Sequence, residues 1–150
     1  MSRRLILSKT IYERIYAELN SLLGDLPGFL HGNIDHLKLE SPGFMDLHID
    51  RLSNNCLALA HNFIQNEDVM ADPDMEIRIH EATRTAEVLS FQQDSMGIYV
   101  TACPQPGNID LHANREMSEF LLQWLSNLKE QGFFPPRFEK ISGQREPIQS

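Results

Sequence analysis

Residues 75–92 read MEIRIHEATRTAEVLSFQ, and their periodicity decides the fold class. Met75, Ile77 and Ile79 alternate with Glu76, Arg78 and His80, the period-2 pattern of a strand with one dry and one wet side. EATR then reads as a tight connection into TAEVLSFQ, which makes the stretch a β-hairpin with Arg78 placed to pair with Glu87. Such a hairpin is not stable alone. It needs further strands and a cover for its apolar face.

The same period recurs upstream. It runs through CLALAHNFI (56–64), through the FMDLHID (44–50) of GFMDLHIDRL and through IDHLKLE (34–40). Between them lie the polar turn SNN and the turn Ser41-Pro42-Gly43, where proline presets φ and glycine supplies a positive φ. CLALAHNFI leaves its facing open: either Leu57, Leu59, His61 and Phe63 point inward, or Ala58, Ala60 and Ile64 do. QNEDVMADPD (65–74) carries four acids, no base and one proline, and predicts a loop that interrupts the meander. Downstream, GIYVTA reads as a short edge strand before the turn-rich CPQPGN.

At both ends the spacing becomes helical. Ile11, Ile15, Leu19, Leu22 and Leu23 form one stripe, predicting a helix over 9–23. Thr10 and Glu13 have capping-box spacing, and Gly24 followed by Pro27 is a stop. LPGFLHGN then reads as a glycine-punctuated loop. Met117, Phe120, Leu121, Trp124, Leu125 and Leu128 make a second, longer stripe, with Asp110 or Asn114 as its cap and Gly132 at its C-terminal end. The predicted fold is therefore α+β: an N-terminal helix, an antiparallel meander of five or six strands and a C-terminal amphipathic helix, with both helices on one sheet face. Residues 1–134 form a single domain, and the polar tail 135–150 is expected to fray.

Composition narrows the function classes. The chain carries 13 Lys and Arg against 21 Asp and Glu, a formal charge of −8. Residues 18–132 hold 18 of those acids and only six bases, so the body stands at −12. Such a body repels phosphate and disfavours direct nucleic-acid binding; it suits a protein partner with a basic surface, and it also suits simple solubility. A homodimer is compatible with it. The two cysteines, Cys56 and Cys103, have neither disulfide-framework nor zinc-site spacing, which fits a reducing compartment. MSRRLILSKT lacks a signal-peptide apolar core and no apolar run is long enough to cross a bilayer, so the expectation is a cytoplasmic protein with no membrane attachment.

The candidate chemistry lies on the wet sides of strands. Asp46, His48 and Asp50 share one side of their strand, and Glu76, Arg78 and His80 join them if both strands cover the same core. Asp46, His48, Asp50, Glu76 and His80 are thus the candidates for a metal-dependent or acid/base enzyme, imidazole and carboxylate suiting several divalent ions. The competing reading is a solvated face, because side chains two apart on one strand are nearly 7 Å apart and do not converge on one small ion. His61 has the setting of a hydrogen-bonded core histidine. His31, His36 and His112 have no partner at metal-site spacing. Glu67, Asp68, Asp72 and Asp74 offer oxygen ligands but lack EF-hand spacing and its glycine, so they read as an acidic binding loop, with no metal assigned. Gln92, Gln93 and Asp94 follow a strand directly and could line a recognition edge or the mouth of a small-molecule pocket. No phosphate-binding glycine loop or nucleophile-elbow motif occurs, and no cofactor is implied.

PDMEIRIHEATRTAEVLSFQQDSMGIY followed by REMSEFLLQWLSNLKEQGF resembles small uncharacterised bacterial proteins classed as domains of unknown function, about this long and often carried on plasmids and other mobile elements. The resemblance covers roughly residues 43–134. A looser similarity, in the AEV strand and the FL..WL helix, runs to the YqiB-like proteins. Neither resemblance implies an activity or a catalytic residue. The expectation is a non-enzymatic interaction protein with an acidic surface, a mobile-element accessory or counter-defence factor, with the enzyme and the small-molecule binder as alternatives.

Overall fold

The protein is described by a computed structural model that covers residues 10–65, 68–102, 110–135, 137–141 and 144–148. Helices α1 (Ile11–Leu23) and α2 (Leu26–His31) precede strands β1 (His36–Leu39), β2 (Leu47–Ser53), β3 (Cys56–Gln65), β4 (Asp68–His80), β5 (Thr85–Gln93) and β6 (Ile98–Thr101). Helix α3 (Leu111–Glu130) and the strands β7 (Arg137–Ile141) and β8 (Gln144–Ile148) follow. The first six strands form one antiparallel sheet in chain order, β1 to β6. This is the α+β meander with flanking helices that the periodicities predict.

Local chemistry sets the boundaries. Thr10 caps α1 with a complete capping box: the Glu13 N–H donates to Thr10 Oγ1 at 3.1 Å, and the Thr10 N–H donates to Glu13 Oε1 at 2.9 Å. Phe44 N–H donates to the Ser41 carbonyl at 3.1 Å with Gly43 at φ +86°, which closes the turn between β1 and β2. Asp110 caps α3, and Gly132 ends it at φ +92°.

Two loop assignments are corrected. Residues 26–31 form helix α2: the Asp25 carboxylate accepts from the Gly28 N–H at 3.0 Å, and Pro27 sits in the first turn, where a missing N–H costs nothing. Arg51 Nη1 then donates to the carbonyls of Phe29 and Gly32 at 2.8 and 2.7 Å and closes the other end. The described part of 65–74 is not a loop either. From Asp68 onward they belong to β4, with Asp68 paired to Gln65 and Ala71 to Asn62. The register shifts between Ala60 and Asn62, so His61 stands opposite both Asp72 and Pro73. A bulge is where a proline fits inside a central strand, because its missing N–H falls out of the ladder. The C-terminal residues expected to fray carry the β7–β8 hairpin.

One core joins the layers. Leu37, Leu39, Leu47, Ile49, Leu57, Leu59, Met75, Ile77, Ile79, Ala86 and Val88 point to the helical side and are buried with Ile15, Leu19, Leu26, Leu121 and Leu125. That settles the facing of β3: its leucines point inward. Helix α3 also covers an edge. β6 pairs only with Ser90 to Gln93, so the earlier half of β5 would expose its backbone. There the Val88 N–H donates to Ser118 Oγ at 3.3 Å, and the Val88 carbonyl accepts from Asn114 Nδ2 at 3.1 Å. The inference drawn from sequence that Arg78 pairs with Glu87 holds for register only, because the Glu87 oxygens go to His80 (2.7 Å) and Asn114 (2.8 Å).

Candidate functional site

With the helices on one face, the other face of the sheet carries the chemistry-bearing residues in two rows. One row across the strands is Lys38, His48, Ala60, Asp74, Gln92 and Tyr99; the next is His36, Asp50, Ala58, Glu76, Ser90 and Thr101. The middle of both rows is alanine. Ala58 and Ala60 therefore floor a shallow trough, walled by His48 and Asp50 on β2 and by Asp74 and Glu76 on β4. Facing walls stand two strand spacings apart, about 9–10 Å.

The electrostatics of this trough are lopsided. Burial, then the carboxylates of Glu76, Asp50 and Asp94, push the Asp74 carboxyl above its ordinary range. Asp94 reaches this group from the 3-10 turn Asp94–Met96, and its side chain accepts from Gln92 Nε2 at 2.7 Å. Glu76 accepts from Ser90 Oγ at 3.2 Å. The basic residues of this face are fewer, and Lys38 leans to Glu40 at 3.4 Å. Cys56, in register with Arg78 at the end of the trough, has its thiol pushed up by burial.

On the β1 side, His36 Nδ1 lies 2.6 Å from Asp50 Oδ1, and the His36 and His48 rings are 5.4 Å apart between centroids at a 30° tilt. Burial, then the His36 ring, lowers the pKa of His48 and favours its neutral form.

The structure sorts the residues singled out from sequence. It brings Asp46, His48 and Asp50 to one wall and Glu76 to the other, but Ala58 keeps Asp50 and Glu76 apart. His80 lies four residues beyond Glu76 along β4, about 13 Å away, and is held by Glu87. Among the described residues no three His, Cys, Asp or Glu side chains are grouped to hold a metal ion. Asp74, Gln92 and Asp94 come together, whereas Gln93 falls on the opposite face by alternation. Asp68 and Asp72 belong to strand β4; Glu67 and Cys103 lie outside the described residues. His61 is a core residue: Nδ1 donates to the Asp46 carbonyl at 3.1 Å, and the ring packs on Trp124 and Phe133. Two hollows among the described residues lie elsewhere, one of about 340 Å³ between α1 and α3 near Arg14 and Lys129, another of about 480 Å³ beside α2 near Asp35 and Arg51. Neither borders Gln92 or Asp94.

Sequence reading missed His36 and the alanine floor. Both were findable: folding the chain at Gly43 puts His36 on Asp50 and Lys38 on His48, and folding it at Asn54 puts Ala58 on Asp50 and Ala60 on His48.

A family model described as a domain of unknown function (DUF6908) matches residues 14–134. The chain belongs to that family. No curated protein and no solved structure matches it. No helix among the described residues is long and apolar enough to cross a membrane.

Proposed function

We propose that this protein is a non-enzymatic interaction module whose open sheet face binds a basic segment of a protein partner. The observation that carries the reading is the trough over Ala58 and Ala60, whose walls present Asp50 on one side and Asp74 and Glu76 on the other; burial, and after it the charges of Glu76, Asp50 and Asp94, raise the Asp74 pKa. Like charges facing one another across the trough are relieved by an incoming cation, and an alanine floor leaves room for a lysine or arginine side chain to reach two walls at once. The resemblance to mobile-element proteins supports a bacterial, cytoplasmic setting and an accessory or counter-defence role. Phosphate backbones would be repelled by the same face, so a nucleic acid is a poor direct ligand.

The test is fluorescence anisotropy with a lysine- and arginine-rich peptide and an acidic control peptide. The basic peptide should bind the wild type, weaken steeply between low and high salt, and lose most of its affinity in an Asp74→Asn, Glu76→Gln double variant. Equal binding of both peptides, or an unaltered affinity in the double variant, would sink the proposal.

A further inference from the structure

We propose that His36 and His48 form a two-histidine site for a divalent transition-metal ion of the Zn2+ type, with Asp50 as the residue that orients His36. This inference stands on the β1–β2 hairpin; it shares Asp50 with the trough of the basic-partner reading, whose test varies only Asp74 and Glu76.

The hairpin turn at Gly43 fixes the register and places the two imidazoles diagonally on neighbouring strands of the open face. Their ring centroids are 5.4 Å apart. An ion bonded to one nitrogen of each ring at the usual distance of about 2.05 Å would hold the centroids roughly 5 Å apart at a tetrahedral angle. The observed centroid separation is close to that value, and both side chains border solvent, with that of His36 48% exposed.

A carboxylate that would orient a ligating histidine is already in place. Ligating histidines commonly donate their other ring N–H to a carboxylate, which fixes the tautomer and strengthens the free nitrogen as a donor. His36 Nδ1 makes this contact with Asp50 Oδ1 at 2.6 Å, which leaves Nε2 for an ion. His48 makes no hydrogen bond to another described residue. Lys38, the cation opposite His48, is drawn toward Glu40. Asp46 and Asp50 add negative charge that concentrates cations at the spot. Nitrogen donors favour a borderline ion over Mg2+ or Ca2+, which take oxygen ligands. With two protein ligands, water would complete the shell.

Calorimetric titration of the untagged full chain with zinc chloride at neutral pH tests the site. The expected result is saturable uptake of one ion per chain. Affinity should fall at least tenfold in each of His36→Gln and His48→Gln, fall roughly tenfold in Asp50→Asn, and match the wild type in His80→Gln. Imidazole resonances of His36 and His48 should shift with added zinc while those of His31 and His112 stay. Circular dichroism of each variant separates lost binding from lost folding. No saturable uptake by the wild type, or full affinity in either single histidine variant, overturns the proposal. Full affinity in Asp50→Asn overturns the orienting role. Loss of zinc binding leaves the peptide measurement above intact, so the two proposals fail separately.

Discussion

Asn114 joins three elements through one side chain. It is 3% exposed; its Oδ1 accepts from Tyr12 Oη at 2.9 Å, and its Nδ2 donates to Glu87 Oε1 and to the Val88 carbonyl. Asn114→Ala would leave buried acceptors without donors, a loss of about 2–3 kcal/mol in urea unfolding, against about 1 kcal/mol for Tyr12→Phe. The reverse order would show that the α1 contact, and not the β5 edge, matters more. Asp74 makes a prediction of opposite sign. Its carboxyl titrates higher in the folded chain than in the unfolded one, so in that window the folded state binds more protons and stability falls as pH rises. The charges facing it are Glu76, Asp50 and Asp94, with His48 across Ala60. Asp74→Asn should therefore stabilise at neutral pH, and the gain should vanish as pH falls below the ordinary carboxylate range; chemical unfolding at several pH values measures this. A variant less stable than wild type at neutral pH would contradict the crowding.

At the scale of elements, the ends of helices and strands were the most legible from sequence. The capping box at Thr10, the turn at Gly43 and the stop at Gly132 are local events that need only neighbours within four residues. Gly132 should be intolerant of change: its φ is +92°, and an added Cβ would meet Ser41 Oγ at 3.2 Å. Gly132→Ala is expected to cost about 1 kcal/mol or more, read from the thermal unfolding midpoint. In the acidic stretch 65–74, residues 68–74 belong to a strand although their composition is that of a loop. Ladder pairing is a backbone property, and the single obstacle, Pro73, falls at the bulge opposite His61. Nothing in the local residues announces a bulge, since it depends on how two distant strands are offset.

For the whole molecule the dominant feature is a sheet dry on one side and acidic on the other. The formal charge of −8 is therefore not evenly felt. Moderate salt should screen the repulsion around Asp74, so the midpoint of unfolding should rise with sodium chloride, and it should rise less in the Asp74→Asn, Glu76→Gln double variant. An identical salt response in both chains would place the repulsion somewhere else.

The alternation of Met75, Ile77 and Ile79 with Glu76, Arg78 and His80, and the stripes at 11–23 and 117–128, determined without coordinates that this chain is a meander covered by helices. Burial is a one-dimensional signal wherever a side chain's direction repeats with the backbone period. Which wet residues meet was decided only by tertiary structure. Register set His36 beside His48, put Ala58 and Ala60 between the acidic walls, and sent Glu87 to His80 and Asn114 instead of Arg78. Those neighbours are fixed by strand offsets and a helix laid on an edge, and neither is written in the spacing of residues along one strand.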